Sequence, residues 1–296
     1  MDAATIVRDA SGCGTDTLEG LRLEWAVACD VGRVREANED AAVILPGRYL
    51  LADGMGGHDS GELASEAALL TIAEVPVLHE QSETQLDLIA LLSRAQEKIG
   101  DISVDSDRRA GTTVTGAVLV TFEGQPHWLV LNVGDSRTYR LQGGALEQLT
   151  VDHSQVQEFV DAGFITREQA RVDPRRNVIT RALGAGMVEP QADFFSLPAL
   201  PGDVLMVCSD GLTGELPDEE IADILLGSDS AEQATDALVE AALALGAHDN
   251  VTVIVVAVHE SDGGEASDNA EVSDGAEVSN GAGMSQSEKA SDTADE

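Results

Sequence analysis

Four apolar runs in this chain meet an aspartate at one end. Tyr49-Leu-Leu-Ala-Asp-Gly54, Leu129-Val-Leu-Asn-Val-Gly-Asp135 and Val204-Leu-Met-Val-Cys-Ser-Asp-Gly211 each end on one, and Asp249-Asn250 stands just before the run Val251 to Val258. Short apolar runs bounded by turn residues are buried strands. A carboxylate at the end of such a strand is costly unless something pairs with it. Four of them imply one shared acidic site. Gly54, Gly56 and Gly57 behind Asp53 let the backbone turn sharply or approach a ligand closely.

The rest of the chain supplies a core around those runs, and its 43% hydrophobic content is enough to bury one. Strands are predicted at Leu23 to Cys29, Ala42 to Leu45 and Tyr49 to Ala52, with Pro46-Gly47 as a hairpin turn. Residues 61–74 and 84–99 have helical spacing. Four consecutive strands, at 112–122, 127–133, 138–141 and 145–149, are joined by short turns and predict an antiparallel meander. Residues 150–190 are polar with scattered apolar positions and suggest short helices on an excursion between strands, long enough to be functional. Strands near 194–197 and 204–208, helices near 218–226 and 231–245, and the strand 251–258 complete the pattern. Residues 1–21 lack periodicity and are expected to be a flexible leader. Residues 260–296 carry eleven acids against the single base Lys289 and are expected to be a disordered acidic tail. The folded domain is then 22–259.

Charge narrows the partners. Lys+Arg 17 against Asp+Glu 54 gives a net charge of -37, which repels nucleic acid and anionic membranes and favours cations. Cys13, Cys29 and Cys208 are odd in number and lack Cys-x-x-Cys spacing, so neither a disulfide framework nor a zinc site is indicated. No apolar run reaches the roughly 18–20 residues that span a bilayer. A cytoplasmic protein is expected.

Oxygen donors gathered from distant segments suit hard cations such as Mg²⁺ or Mn²⁺. The segment after Asp53 has neither the acids of an EF-hand nor the Gly-Lys-Ser/Thr of a Walker loop. Two cations sharing a carboxylate would make a bound water nucleophilic at neutral pH, and hydrolysis of a phosphate ester is the natural use. Arg35, in the polar loop before Glu39, offers a guanidinium fork for phosphate. Ser136 and Ser209 have no His/Asp relay, Cys208 reads as core, and His127 and His248 read as structural.

Taken together, Arg35-Glu-Ala-Asn-Glu-Asp40, Asp53-Gly-Met-Gly-Gly-His58 with Gly61-Glu62, Gly111-Thr-Thr113, Gly134-Asp-Ser-Arg137, Leu149-Thr-Val-Asp-His-Ser154, Asn177-Val-Ile-Thr-Arg-Ala-Leu-Gly184, Ser209-Asp-Gly-Leu-Thr213 and Asp249-Asn250 occur in an order that resembles one family. It is that of the metal-dependent serine/threonine protein phosphatases of type 2C, in their compact bacterial form, over residues 22–258.

The resemblance implies an α+β fold, a four-layer αββα sandwich with two central antiparallel β-sheets flanked by helices. It implies two Mn²⁺ or Mg²⁺ ions, with Asp53 as their bridge. Glu39 and the Gly54 carbonyl would complete one ion, and Asp210 with Asp249 would hold the other. Asp40 would orient the attacking water, Asp135 with Asp210 would form a third, weaker site, and Arg35 would grip the substrate phosphate. Residues 150–186 match a flap over the site, in which His153 acts as a brace. In animal members a histidine close behind the Asp-Gly protonates the leaving group. Here Met55 and Gly56 stand there and His58 comes two positions late, so a metal-bound water remains the alternative acid.

The implied substrates are phosphoserine and phosphothreonine proteins, opposing Ser/Thr kinases, with the enzyme a monomer. A non-enzymatic relative would have lost metal ligands, and none is missing. An ATP-binding module of the histidine-kinase type would account for Asp53-Gly-Met-Gly-Gly57 only as a near miss and leaves the other motifs unexplained.

Overall fold

The structure, a computed structural model, describes residues 4–56, 59–102 and 109–261. Two antiparallel sheets lie face to face. The first contains β1 (Ile6–Val7), β4 (Asp40–Leu45), β5 (Arg48–Met55), β7 (Val114–Phe122), β8 (Gln125–Val133) and β12 (Asp193–Pro198) in that spatial order. The short strands β6 (Gly111–Thr112) and β11 (Leu183–Gly184) extend it from β5. The second runs β10 (Ala145–Gln148), β9 (Arg137–Gln142), β13 (Val204–Cys208), β14 (Val251–Glu260), β3 (Leu21–Asp30) and β2 (Ala10–Leu18).

Helices α1 (Asp59–Ile72) and α2 (Gln81–Ile102) cover the first sheet, and α6 (Asp218–Gly227) and α7 (Ala231–Leu245) cover the second. The short α3 (Gln155–Asp161) and α4 (Arg167–Arg171) lie in the excursion, and α5 (Asp210–Thr213) follows β13. This is the four-layer αββα sandwich, with one apolar core between each pair of layers.

Those cores explain the unbroken apolar strands. Successive side chains of a strand point to opposite faces. In β14, Val251, Val253 and Val255 pack toward the helices, while Ile254, Val256 and Val258 fill the space between the sheets. In β5, Leu50 and Ala52 face α1 and α2, while Tyr49 and Leu51 face the other sheet. A strand buried on both faces has no polar alternation to show. Trp128, fully buried, meets the Tyr49 ring edge-on at 5.9 Å in the inter-sheet core.

Two expectations are corrected. From residue 4 onward, the leader expected to be flexible forms β1 on the first sheet and β2 on the second, with β2 paired to β3 along its whole length. The side chains of Ala10–Leu18 are mostly exposed, so the pairing is made by backbone and leaves no apolar alternation to read. The meander also breaks in the middle. β7 pairs with β8 and β9 with β10, but β8 and β9 belong to different sheets. The chain crosses between them at Gly134, whose φ of +114° only glycine adopts readily, and this crossing leaves Asp135 at the edge of the sandwich. The acidic tail, from residue 262, lies outside the described residues.

Candidate active site

The antiparallel pairings gather the acids at one edge. β4 begins on Asp40 where β5 reaches Asp53, and the two residues are directly opposite in the ladder. On the facing sheet, β13 ends just before Asp210 where β14 begins just after Asp249. Opposite residues of an antiparallel pair share a face, so two carboxylates there repel. Such repulsion is tolerated only where something else satisfies them.

Polar side chains stitch the sheets together at this edge. Thr252 donates to Asp40 Oδ2 at 2.8 Å, and the Glu39 N–H donates to Asn250 Oδ1 at 3.0 Å. Asn250 Nδ2 holds the Val31 and Ala37 carbonyls, both at 3.0 Å. Thr113 Oγ1 accepts from the Asp53 N–H at 3.0 Å, and the Thr113 N–H donates to the Asp53 carbonyl at 2.8 Å. Glycines permit the close approach. A Cβ on Gly211 would overlap the Asn250 carbonyl, and one on Gly54 would overlap the carbonyls of Gly61 and Glu39.

The site's electrostatics are those of crowded, buried acids. Burial, then the charges of Asp40, Asp210, Asp135 and Asp249, hold the Asp53 carboxyl well above the ordinary range. Burial pushes Asp40 up to about 7 against its hydrogen bonds from Ser209 and Thr252. Burial and Asp249 raise Asp210 to about 6, opposed by its hydrogen bond with Asp53. Asp135 is raised well above its usual value by burial and by Asp210 and Asp152. Asp40 Oδ1 and Asp135 Oδ1 are buried with no hydrogen-bond partner among the described residues.

Among the described residues no three His, Cys, Asp or Glu side chains stand as a preformed metal cage. Arg35 Nη2 contacts Asp249 Oδ2 at 2.6 Å, so the guanidinium expected to meet phosphate lies against an expected metal ligand. The donor set nevertheless fits hard divalent cations. It is all oxygen, it includes two buried carboxylate oxygens with no hydrogen-bond partner among the described residues, and burial beside like charges raises its carboxylates, a repulsion that a cation would relieve.

Glu39 is buried, and its carboxylate lies where a Cβ on Gly61 would collide with it. His153 Nδ1 accepts from the Gly134 N–H at 3.1 Å, and its Nε2 meets Asp193 Oδ2 at 3.1 Å, which braces the loop that carries Asp135. His58 lies outside the described residues. Of the supporting residues, Asn250 and Thr113 stand in motifs that carry the family resemblance without a role of their own, and Thr252 and Ser65 are not singled out by the sequence. Thr252 had one signal, a hydroxyl inside an otherwise apolar buried run.

Beside the acids opens a cleft of about 160 Å³, lined by Asp135 and Asp210 together with Arg167, Arg171 and Arg176 of the excursion. Among the described residues none of these three arginines lies within 4.0 Å of a carboxylate oxygen. An acidic edge whose oxygen donors fit divalent cations, opening into a cleft lined by arginines, is an arrangement suited to a metal-dependent phosphatase.

Comparison with known proteins gives the same class. Residues 33–244 match the protein phosphatase 2C family. The chain is 36% identical over 240 residues to the serine/threonine phosphatase stp of Listeria welshimeri, covering 77% of this chain and 92% of that protein. It is 38% identical over 251 residues to the serine/threonine protein phosphatase PstP of Mycobacterium tuberculosis, covering 83% of this chain and 47% of that longer protein. The catalytic domain of PstP in complex with two manganese ions superposes with a TM-score of 0.69 at 34% identity, covering 81% of this chain and 99% of that one. Stp1 of Staphylococcus aureus gives 0.72 at 33% identity, covering 79% and 94%. The chain belongs to the protein phosphatase 2C family, and it is a metal-dependent protein-serine/threonine phosphatase.

Proposed function

We propose that this enzyme hydrolyses phosphoserine and phosphothreonine in proteins by direct attack of water, opposing Ser/Thr kinases in the cytoplasm. The observation that carries the reading is the convergence of Asp40, Asp53, Asp135, Asp210 and Asp249 on one edge, with buried carboxylate oxygens that have no partner among the described residues. Asp53 would hold both of two Mn²⁺ or Mg²⁺ ions; Glu39 and the Gly54 carbonyl would serve one, Asp210 and Asp249 the other, and Asp135 with Asp210 would offer a third, weaker site. When bound, the ions supply Lewis acidity and lower the pKa of water.

The chain's own groups do the rest. Asp40, fixed through Thr252, accepts a hydrogen bond from the attacking water and aims it. Arg35 leaves Asp249 to take the substrate phosphoryl oxygens, a short move because its side chain is already at the mouth of the site and half-exposed. The cleft beside Asp135 and Asp210 receives the polypeptide that carries the phosphoryl group.

The test is hydrolysis of a phosphothreonine peptide in Mn²⁺ or in EDTA, comparing wild type with Asp210→Ala. Turnover confined to the wild type in Mn²⁺ supports the reading. Turnover in EDTA, or full activity in the variant, contradicts it.

A further inference from the structure

The segment that precedes the family match is built into the metal edge. β1 adds to the first sheet at β4, with Ile6 opposite Val43 and Val7 opposite Ala42. Three residues after Val7, Ala10 is already paired with Cys29 on the second sheet. The chain makes this step with Asp9 in the left-handed region at φ +50°, a conformation that aspartate tolerates better than most residues. Residues 8 and 9 are therefore a strap across the open edge of the sandwich, behind the acids.

Both side chains of the strap grip the loop that carries Glu39 and Asp40. Arg8 Nε donates to the Asp40 carbonyl at 2.9 Å. Its Nη1 meets Glu62 Oε1 at 2.7 Å, and its Nη2 donates to the Glu62 carbonyl and to Ser65 Oγ, both at 3.0 Å. Ser65 in turn donates to the Glu39 carbonyl at 2.7 Å. Asp9 Oδ1 accepts from Asn38 Nδ2 at 2.8 Å, and Asn38 Oδ1 accepts from the Asp40 N–H at 3.1 Å. The Arg8 side chain is only 13% exposed, so its bonds form largely out of competition with water. A guanidinium is the one side chain whose fixed fork serves all these acceptors at once.

We infer that Arg8 is a positioning residue for the metal centre. It locks the main chain of Glu39 and Asp40 against the first two turns of α1 and so sets the affinity of the site for its cations. The Glu39 carbonyl also accepts the Gly54 N–H at 3.2 Å, so the same lock reaches the strand end that carries Asp53. The inference rests on the metal assignment above. It assigns a role to the residues before the matched segment, which begins at residue 33.

Calorimetric titration of Mn²⁺ into the full, metal-stripped chain tests it, using wild type, Arg8→Lys and Arg8→Met, with each protein's melting temperature measured in EDTA. Loss of a group that orients metal ligands from behind typically weakens metal binding by about 10–100-fold. Arg8→Met should fall in that range, and Arg8→Lys, which keeps the charge and loses the fork, should fall between it and wild type. In turnover assays most of the effect should appear in the Mn²⁺ concentration needed for half-activation. A purely structural role would lower the melting temperature and leave the Mn²⁺ isotherm of the folded protein unchanged, which would overturn the inference. Arg8→Lys alone decides if Arg8→Met does not fold, since a wild-type isotherm there refutes the positioning role. Wild-type protein that binds no Mn²⁺ would overturn the metal assignment itself.

Discussion

Raising the pH should destabilise the metal-free enzyme, and the metal site is the reason. Burial, then the charges of Asp210 and Asp249, push Asp40 up to about 7 from an ordinary 3.8. The folded state therefore keeps a proton that the unfolded chain releases, and stability falls as pH rises from about 4 through 7. Between pH 5 and pH 8 roughly two pH units of that difference are traversed, at about 1.36 kcal/mol each, which gives about 3 kcal/mol from this group as an upper figure. For a domain of this size that is on the order of 10 °C in Tm. The assay is thermal unfolding in EDTA at pH 5, 6, 7 and 8, for wild type and Asp40→Asn, repeated with Mn²⁺. Wild type should lose Tm across the series, the variant should show a shallower slope, and Mn²⁺ should stabilise wild type far more at pH 8 than at pH 5. A flat or rising Tm in EDTA, or equal slopes in the two proteins, would refute the placement of Asp40 among buried like charges.

Other outcomes follow from the same geometry. Gly211→Ala drives a methyl group into the Asn250 carbonyl and should cost about 1–3 kcal/mol in denaturant unfolding while weakening Mn²⁺ binding. Leu51→Ala empties the inter-sheet core and should cost about 2–5 kcal/mol, with the Mn²⁺ isotherm of the folded fraction unchanged. Arg171→Glu, in the cleft wall, should raise KM for phosphopeptides several-fold while leaving hydrolysis of p-nitrophenyl phosphate nearly as in wild type, because only the peptide reaches that wall.

Much of this was legible in the sequence, and the gaps have physical causes. The run Val251 to Val258 and helix α7 were readable because burial on both strand faces, or on one helix stripe, writes itself into side-chain type. The acids were readable because a carboxylate at the end of an apolar run contradicts its surroundings. β2 was not, because an edge strand with exposed side chains is held by backbone bonds that composition does not record. The four residues of α5 are too few for periodicity. The passage from one sheet to the other at Gly134 was hidden because β8 and β9 each look like ordinary neighbours in a meander. Arg8 had no local signal at all, since its partners lie 32 to 57 residues away in sequence.

The central claim is that strand-end carboxylates from both sheets hold the catalytic cations, with Asp53 as their bridge. Titration calorimetry of Mn²⁺ into metal-stripped wild type and Asp53→Asn tests it most directly. Two tight equivalents in the wild type, with loss of both in the variant, are what the account predicts. A variant that still binds two ions with wild-type affinity would contradict it.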